Sequence, residues 1–192
     1  RDARADESIP ILRALWGGKE PPTTSRFFQI PPISLAPAPI QPGGPPVWIG
    51  GRSPAAIRRA AWLGDGYLGY FLDAAGVRKR MARIRELRQE APSAARRRAP
   101  LACALMAFAR VDADADRGLR RAQQRLGALY GPETQSTAAR FGVVGTLEDC
   151  RARVAELAAA GVEHLVLSPI ASGEEIDDQL EQLAAIGDRE AK

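Results

Sequence analysis

Histidine occurs once in this chain of 192 residues and cysteine twice, while aromatic residues make up only 6%. Each scarcity removes a class of function. His164, Cys103 and Cys150 form no cluster with metal-ligand spacing, so a zinc site is not expected, nor any other metal site. Cys103 falls in an apolar strand-like run and Cys150 on the apolar side of a helix. Both read as small buried hydrophobes in a reducing, cytoplasmic compartment. No apolar run approaches the ~20 residues a membrane-spanning helix needs, and no signal peptide is visible.

The composition that remains, 45% hydrophobic and 26% charged, is that of a globular domain with one substantial core. A formal net charge of +4 raises the question of a polyanionic partner, and the placement of the cations answers it. Arg78, Lys79, Arg80, Arg83, Arg85 and Arg88 share a helix with Val77, Met81, Ile84 and Leu87, which recur at four- and three-residue spacing. The cations therefore take the solvated face. No aromatic residue interleaves with them for base stacking, so no nucleic-acid partner is expected. Arg96, Arg97 and Arg98 follow in a connection, where they serve solubility.

Residues 2–16 carry Ile9, Leu12, Leu15 and Trp16 on a helix that stops at Gly17-Gly18. That helix reads as the later part of something larger, and with Arg1 in place of Met it points to sequence upstream. Residues 19–46 are rich in proline and lack helical period, which predicts a long extended connection. From residue 47 a regular alternation begins. Strands are expected at residues 47–50, 67–72, 101–111 and 164–168, and helices at 55–63, 75–90, 115–129 and from 147 to the stop at Gly161. A closing helix follows, with Ile176, Leu180, Leu183 and Ile186 on its core face, as Leu119, Ala122, Leu126 and Leu129 are on that of the fourth. Strand–helix alternation is the pattern of a parallel sheet, and strands that do not alternate apolar with polar residues imply cover on both faces. Periodicity alone leaves open whether the four strands make a small open sheet or four units of a barrel.

The stretch Pro45-Pro46-Val47-Trp48-Ile49-Gly50-Gly51-Arg52-Ser53-Pro54 carries the most chemistry. An apolar strand ends there in two glycines, a cation and a hydroxyl, and a helix begins at once. Gly50 and Gly51 let the chain turn sharply and a ligand approach their amides. Ser53 is a favoured N-cap, and Pro54 suits the first helical position. The helix N-terminus and Arg52 then suit a phosphate. Gly-Gly for turn geometry and Ser-Pro for capping would explain the same residues without a ligand.

In order along the chain, Phe27-Phe28, the approach Pro37-Ala38-Pro39-Ile40-Gln41-Pro42, the Gly50-Gly51-Arg52-Ser53 turn, Arg59-Ala60-Ala61 and Leu63-Gly64-Asp65-Gly66-Tyr67 resemble the luciferase-like monooxygenase family. Val143-Val144-Gly145-Thr146-Leu147-Glu148-Asp149-Cys150 and Ala159-Ala160-Gly161-Val162-Glu163-His164-Leu165-Val166-Leu167 are similar to its closing section. The resemblance implies an oxidoreductase using FMN or the deazaflavin coenzyme F420, which this loop does not separate. It implies a (β/α)8 TIM barrel with the cofactor at the C-terminal ends of the strands. Residues 1–192 would be one domain, the C-terminal portion of that barrel with about four βα units. They divide into a helix at 1–18, the connection at 19–46 and βα units over 47–192. Gly50, Gly51, Arg52 and Ser53 align with the family's cofactor-phosphate loop, while its usual catalytic groups fall upstream of Arg1. A small-molecule substrate and a homodimer are the implied partners. The alternative is a non-catalytic half barrel that binds a phosphorylated ligand or a complementary chain.

Six further positions invite a role. Asp65 between two glycines reads first as a backbone hydrogen-bonding residue. His164 begins a strand, away from the expected active face, and Ser168 at the far end lies nearer the mouth; neither has a visible base partner. Tyr67, Tyr70 and Phe71 read as core, with an apolar ligand cavity as the second option.

Overall fold

The computed structural model describes residues 2–21, 25–92 and 100–187. Residues 96–98, expected in a connection, lie outside them. The order is α1 (Asp2–Trp16), β1 (Trp48–Gly50), α2 (Pro54–Leu63), β2 (Gly66–Tyr70), α3 (Ala74–Gln89), β3 (Ala102–Val111), α4 (Ala115–Tyr130), α5 (Gln135–Phe141), β4 (Val143–Gly145), α6 (Leu147–Ala159), β5 (His164–Pro169) and α7 (Ile176–Gly187). Two compact units share the chain. One holds Arg1–Tyr67 and Arg83–Ala102, the other Leu68–Ala82 and Cys103–Lys192.

In the first unit the described part of residues 19–46 contains no helix, in keeping with its prolines. Helix α1 packs on α2. Arg59, only 8% exposed, reaches from α2 to Asp6 Oδ1 at 2.6 Å and Asp2 Oδ1 at 3.1 Å. At the entry to the strands, Asp65 Oδ2 accepts from Arg13 Nη2 at 2.5 Å and from the Val47 amide at 2.8 Å. Asp65 thus ties a helix end to a strand start, as a backbone hydrogen-bonding role requires. Strand β1 has β2 as its neighbour. Ile9 and Ile11 are the buried apolar residues of α1, and Leu12, expected inside, is 41% exposed.

In the second unit β3 is the hub, a neighbour of β2, β4 and β5. Residues 104–109 of β3 register in parallel with residues 164–169 of β5, and residues 109–111 with 143–145 of β4. Strand β4 and helix α5 were not anticipated. They lie in a glycine-bearing stretch too short to show a period, and β4 is held by only three register pairs. Cys150 on α6 is fully buried, and neither cysteine forms a disulfide. Two expected core positions are not core. Leu129 is 54% exposed beside the helix end at Tyr130, and Leu180 is 50% exposed. Gln179 takes the buried place instead, because its amide closes on the Val111 amide at 3.1 Å and carbonyl at 2.9 Å.

Full cover of both strand faces does not hold either. Leu165 and Leu167 register with the buried Leu105 and Ala107, whereas Val166, in register with Met106, is 48% exposed. Strand β1 behaves likewise, with Ile49 buried and Trp48 36% exposed. An outer strand is covered on the side its helices pack against and stays open on the other. The basic helix α3 exposes Arg78, Lys79, Arg83 and Arg85 as expected. Arg88 departs from the pattern: its Nη1 donates to the Ala61 carbonyl at 3.2 Å, so a cation meets the electronegative end of α2.

Candidate functional site

The turn between β1 and α2 is built by three interactions that sequence supplied in part. Gly51 has φ +122°, and a Cβ there would stand 2.8 Å from the Ala56 Cβ. Only glycine meets both conditions without strain. The carbonyl of Gly51 accepts from the Tyr67 hydroxyl at 3.0 Å, and Tyr67 is itself 1% exposed. This tyrosine, expected as core, is core and also fixes the turn. Nothing in the sequence marked that second role, since a tyrosine in a strand looks the same whether or not its hydroxyl has a partner.

Ser53 is the N-cap of α2 in extended conformation, and its Oγ accepts from the Ala56 amide at 3.1 Å. The Ile57 amide takes the Ser53 carbonyl at 3.0 Å. Pro54 has no amide hydrogen to place. Among the described residues the Ser53 and Ala55 amides then have no protein acceptor, as expected for the first turn of a helix. The Ser53 hydroxyl also keeps its own proton, because the cap uses it as acceptor. Gly50, Arg52 and Ser53 are exposed. The four residues therefore sit together at the C-terminal end of a strand, accessible, with two amides and one hydroxyl available in one turn and the exposed Arg52 guanidinium beside them. Such a cradle fits an oxyanion, and a phosphate in particular, at its glycine-permitted surface.

The other candidates separate. His164 is exposed at the start of β5, and Ser168 is part-buried near its end, in register with Phe108. Tyr70 and Phe71 belong to a run of rings: Tyr70 to Phe71 at 5.5 Å, Phe71 to Phe108 at 5.9 Å and to Phe141 at 6.1 Å, Phe108 to Tyr130 at 5.7 Å. The crevice these rings border holds about 10 Å³, less than a ligand needs. Among the described residues no cluster of His, Cys, Asp and Glu could hold a metal ion.

A second polar group lies at the C-terminal end of β3. Arg110, 4% exposed, donates to the Ile170 carbonyl at 2.8 Å and to both oxygens of Glu175 at 3.3 and 3.4 Å. Asp112, 7% exposed, accepts from Arg117 at 2.6 Å. The Arg117 guanidinium beside Asp112 holds its carboxyl below the usual carboxylate range, and Arg110 does the same to Glu175. Sequence inspection passed over this group. Its one signal was an arginine and an aspartate closing a strand of otherwise apolar residues.

Residues 1–164 match the family described as luciferase-like monooxygenase. Among curated proteins, uncharacterized proteins of Mycobacterium tuberculosis and Mycobacterium bovis are 38% identical over 91 residues, 47% of this chain and 31% of theirs. Solved structures share the fold. An F420-dependent secondary alcohol dehydrogenase in complex with an F420-acetone adduct superposes with a TM-score of 0.74 at 17% identity, over 97% of this chain and 62% of that one. The coenzyme F420 dependent tetrahydromethanopterin reductase of Methanopyrus kandleri gives 0.71 at 17% identity, over 94% and 61%. A monooxygenase of Streptomyces bottropensis gives 0.72 at 19% identity, over 96% and 60%. The chain spans about three-fifths of these solved chains, and its match covers under a third of the curated relatives.

Proposed function

The chain belongs to the luciferase-like monooxygenase family, and from that premise we propose that it serves an oxidoreductase using FMN or coenzyme F420, with residues 50–53 anchoring the cofactor phosphate. The observation that carries this is the donor set of one turn: the Ser53 and Ala55 amides and the Ser53 hydroxyl proton, which no protein acceptor takes among the described residues, beside the exposed Arg52. The α2 N-terminus adds its positive end at the same point. Gly51 admits the close approach, and Tyr67 holds the turn by its carbonyl. Both structural relatives named for coenzyme F420 favour the deazaflavin as one of the two cofactors.

When bound, the flavin or deazaflavin supplies the electron-transfer chemistry. The residues of this chain orient it. Arg52 and the free amides neutralise and direct the phosphate, and Ser53 donates its hydroxyl while still capping the helix. The homodimer, the cytoplasmic setting and a small-molecule substrate belong to the same proposal.

Titration of FMN and of riboflavin into the chain, followed by flavin fluorescence, tests the anchorage directly, since the two ligands differ by the phosphate alone. FMN is expected to bind at least tenfold more tightly, and equal affinities would reject the assignment. One observation favours a complementary chain as a second reading: Val166 is 48% exposed on β5, which among the described residues pairs with β3 alone. Sedimentation showing a monomer at all concentrations would exclude a second copy of this chain as that partner, and the homodimer with it.

A further inference from the structure

The group at the ends of β3 and β5 borders a cavity of about 330 Å³, lined by Arg110, Arg121, Arg125, Ile170, Ser172 and Glu175 among others. Its charges do not balance. Asp112 is taken by Arg117 at 2.6 Å, and Glu175 by Arg110, with Arg121 Nη1 also on Glu175 at 3.2 Å. Of the groups lining the cavity, three guanidiniums, those of Arg110, Arg121 and Arg125, thus face one carboxylate, that of Glu175. Arg125 is exposed, and among the described residues no partner reaches it. The Nε of Arg110 is buried and makes no hydrogen bond. A buried donor left unsatisfied costs about 1–3 kcal/mol, so its retention beside a cavity calls for an acceptor.

From this juxtaposition we propose a second anion site, distinct in its residues from the turn at 50–53, that takes the phosphoryl group of a phosphorylated small molecule. The excess of two positive charges matches a phosphate monoester, which carries about −1.5 to −2 near neutral pH. Guanidiniums supply the planar donor pairs that phosphate oxygens accept. The cavity lies where the chain leaves parallel strands at their carboxyl ends, the place where α/β folds gather ligands. Its volume admits a phosphoryl group with a small molecule attached.

The test titrates inorganic phosphate into the chain carrying Arg52→Ala and Ser53→Ala, so that the first turn cannot answer for the second site. Binding is followed by calorimetry and by the amide shifts of Ala171 and Ser172. Saturable binding is expected to persist in that background. It should weaken at least tenfold on adding Arg125→Gln, which removes no hydrogen bond or ion pair among the described residues, and recover in part with Arg125→Lys. Absence of phosphate binding in the background variant would overturn the proposal. So would binding that Arg125→Gln leaves unchanged, or binding that shifts no amide in residues 170–175. A failure here leaves the FMN-versus-riboflavin comparison untouched, because that experiment reads the other residues.

Discussion

Replacing Ser53 by aspartate separates folding from binding at the turn between β1 and α2. Aspartate caps a helix as well as serine, so its carboxylate can accept the Ala56 amide that Ser53 Oγ now takes at 3.1 Å. Stability should therefore stay within about 0.5 kcal/mol of the parent chain. The same carboxylate would stand where a phosphate is expected. At 4 Å, with an effective dielectric of about 40 for an exposed turn, two unit charges repel by roughly 2 kcal/mol. That corresponds to about a thirtyfold loss of FMN affinity, and more for a doubly charged phosphate. Ser53→Ala behaves differently. It loses the cap, about 1 kcal/mol or some 2–4 °C in melting temperature, and also loses the hydroxyl donor to the phosphate. Circular dichroism melts and flavin fluorescence titrations on the three chains read the two effects independently. A folded Ser53→Asp chain that binds FMN as the parent does would refute a phosphate at residues 50–53. A Ser53→Asp chain melting as low as Ser53→Ala would refute the capping argument.

Gly51→Ala should cost about 1–3 kcal/mol, since φ +122° and a 2.8 Å approach to Ala56 Cβ both oppose a side chain; a melt within a degree of the parent contradicts the geometry. Tyr67→Phe removes the hydrogen bond to the Gly51 carbonyl at 3.0 Å and should lower stability by about 1 kcal/mol, with weaker FMN binding as the sign that the turn has loosened. Burial pushes the Cys150 thiol up from 9.0 to about 11, so its contribution to stability is complete below pH 9 and is lost as pH rises toward 11. Cys150→Ala should flatten that alkaline loss, and an unchanged pH profile of the melt speaks against it. The carboxyls of Asp112 and Glu175 are held below 3.8 and 4.5, so their stabilisation is present above those values and lost as pH falls through the lowered ones. Asp112→Asn should therefore narrow the gap in melting temperature between pH 6 and pH 3, and an unaltered gap would count against the pairing with Arg117.

What the sequence made legible were features that depend on near neighbours in the chain. The N-cap at Ser53 and the stop at Gly161 are local events, and each stands close to its expected place. Residues 50–53 were legible for the same reason, because turn and cap are contiguous. Strand β4 was not, since its three residues gain their identity only from pairing with residues 109–111. Gln179 was missed on the same ground. A helical period places apolar residues inside by spacing, but a buried amide is admitted where a strand leaves an unpaired carbonyl and amide, here those of Val111. The strength of the apolar pattern at Leu180 gave no warning, because periodicity fixes a direction and not how deep the helix lies.

The uneven cover of the strands links these observations. In β3 the odd positions from Cys103 to Val111 are all buried, while Met106 and Phe108 on the other face are only part-buried. Register carries that asymmetry to β5, where Leu167 follows Ala107 and Val166 follows Met106. The helices of the second unit thus satisfy one face of the strands, and the opposite face, apolar at Met106, Phe108 and Val166, is left with less cover than its composition asks for. An apolar face that stays accessible gains free energy from whatever covers it, at about 25 cal/mol per Å². Polar groups at the carboxyl ends follow a different logic. Arg110 and Asp112 continue β3 beyond its apolar part, and they are buried only because Glu175, Arg117 and the Ile170 carbonyl compensate them. A chain that buries two charges at the end of an otherwise apolar strand bears a desolvation cost there that packing alone does not require. The cost is intelligible if the carboxyl ends of these strands are where a charged ligand is met.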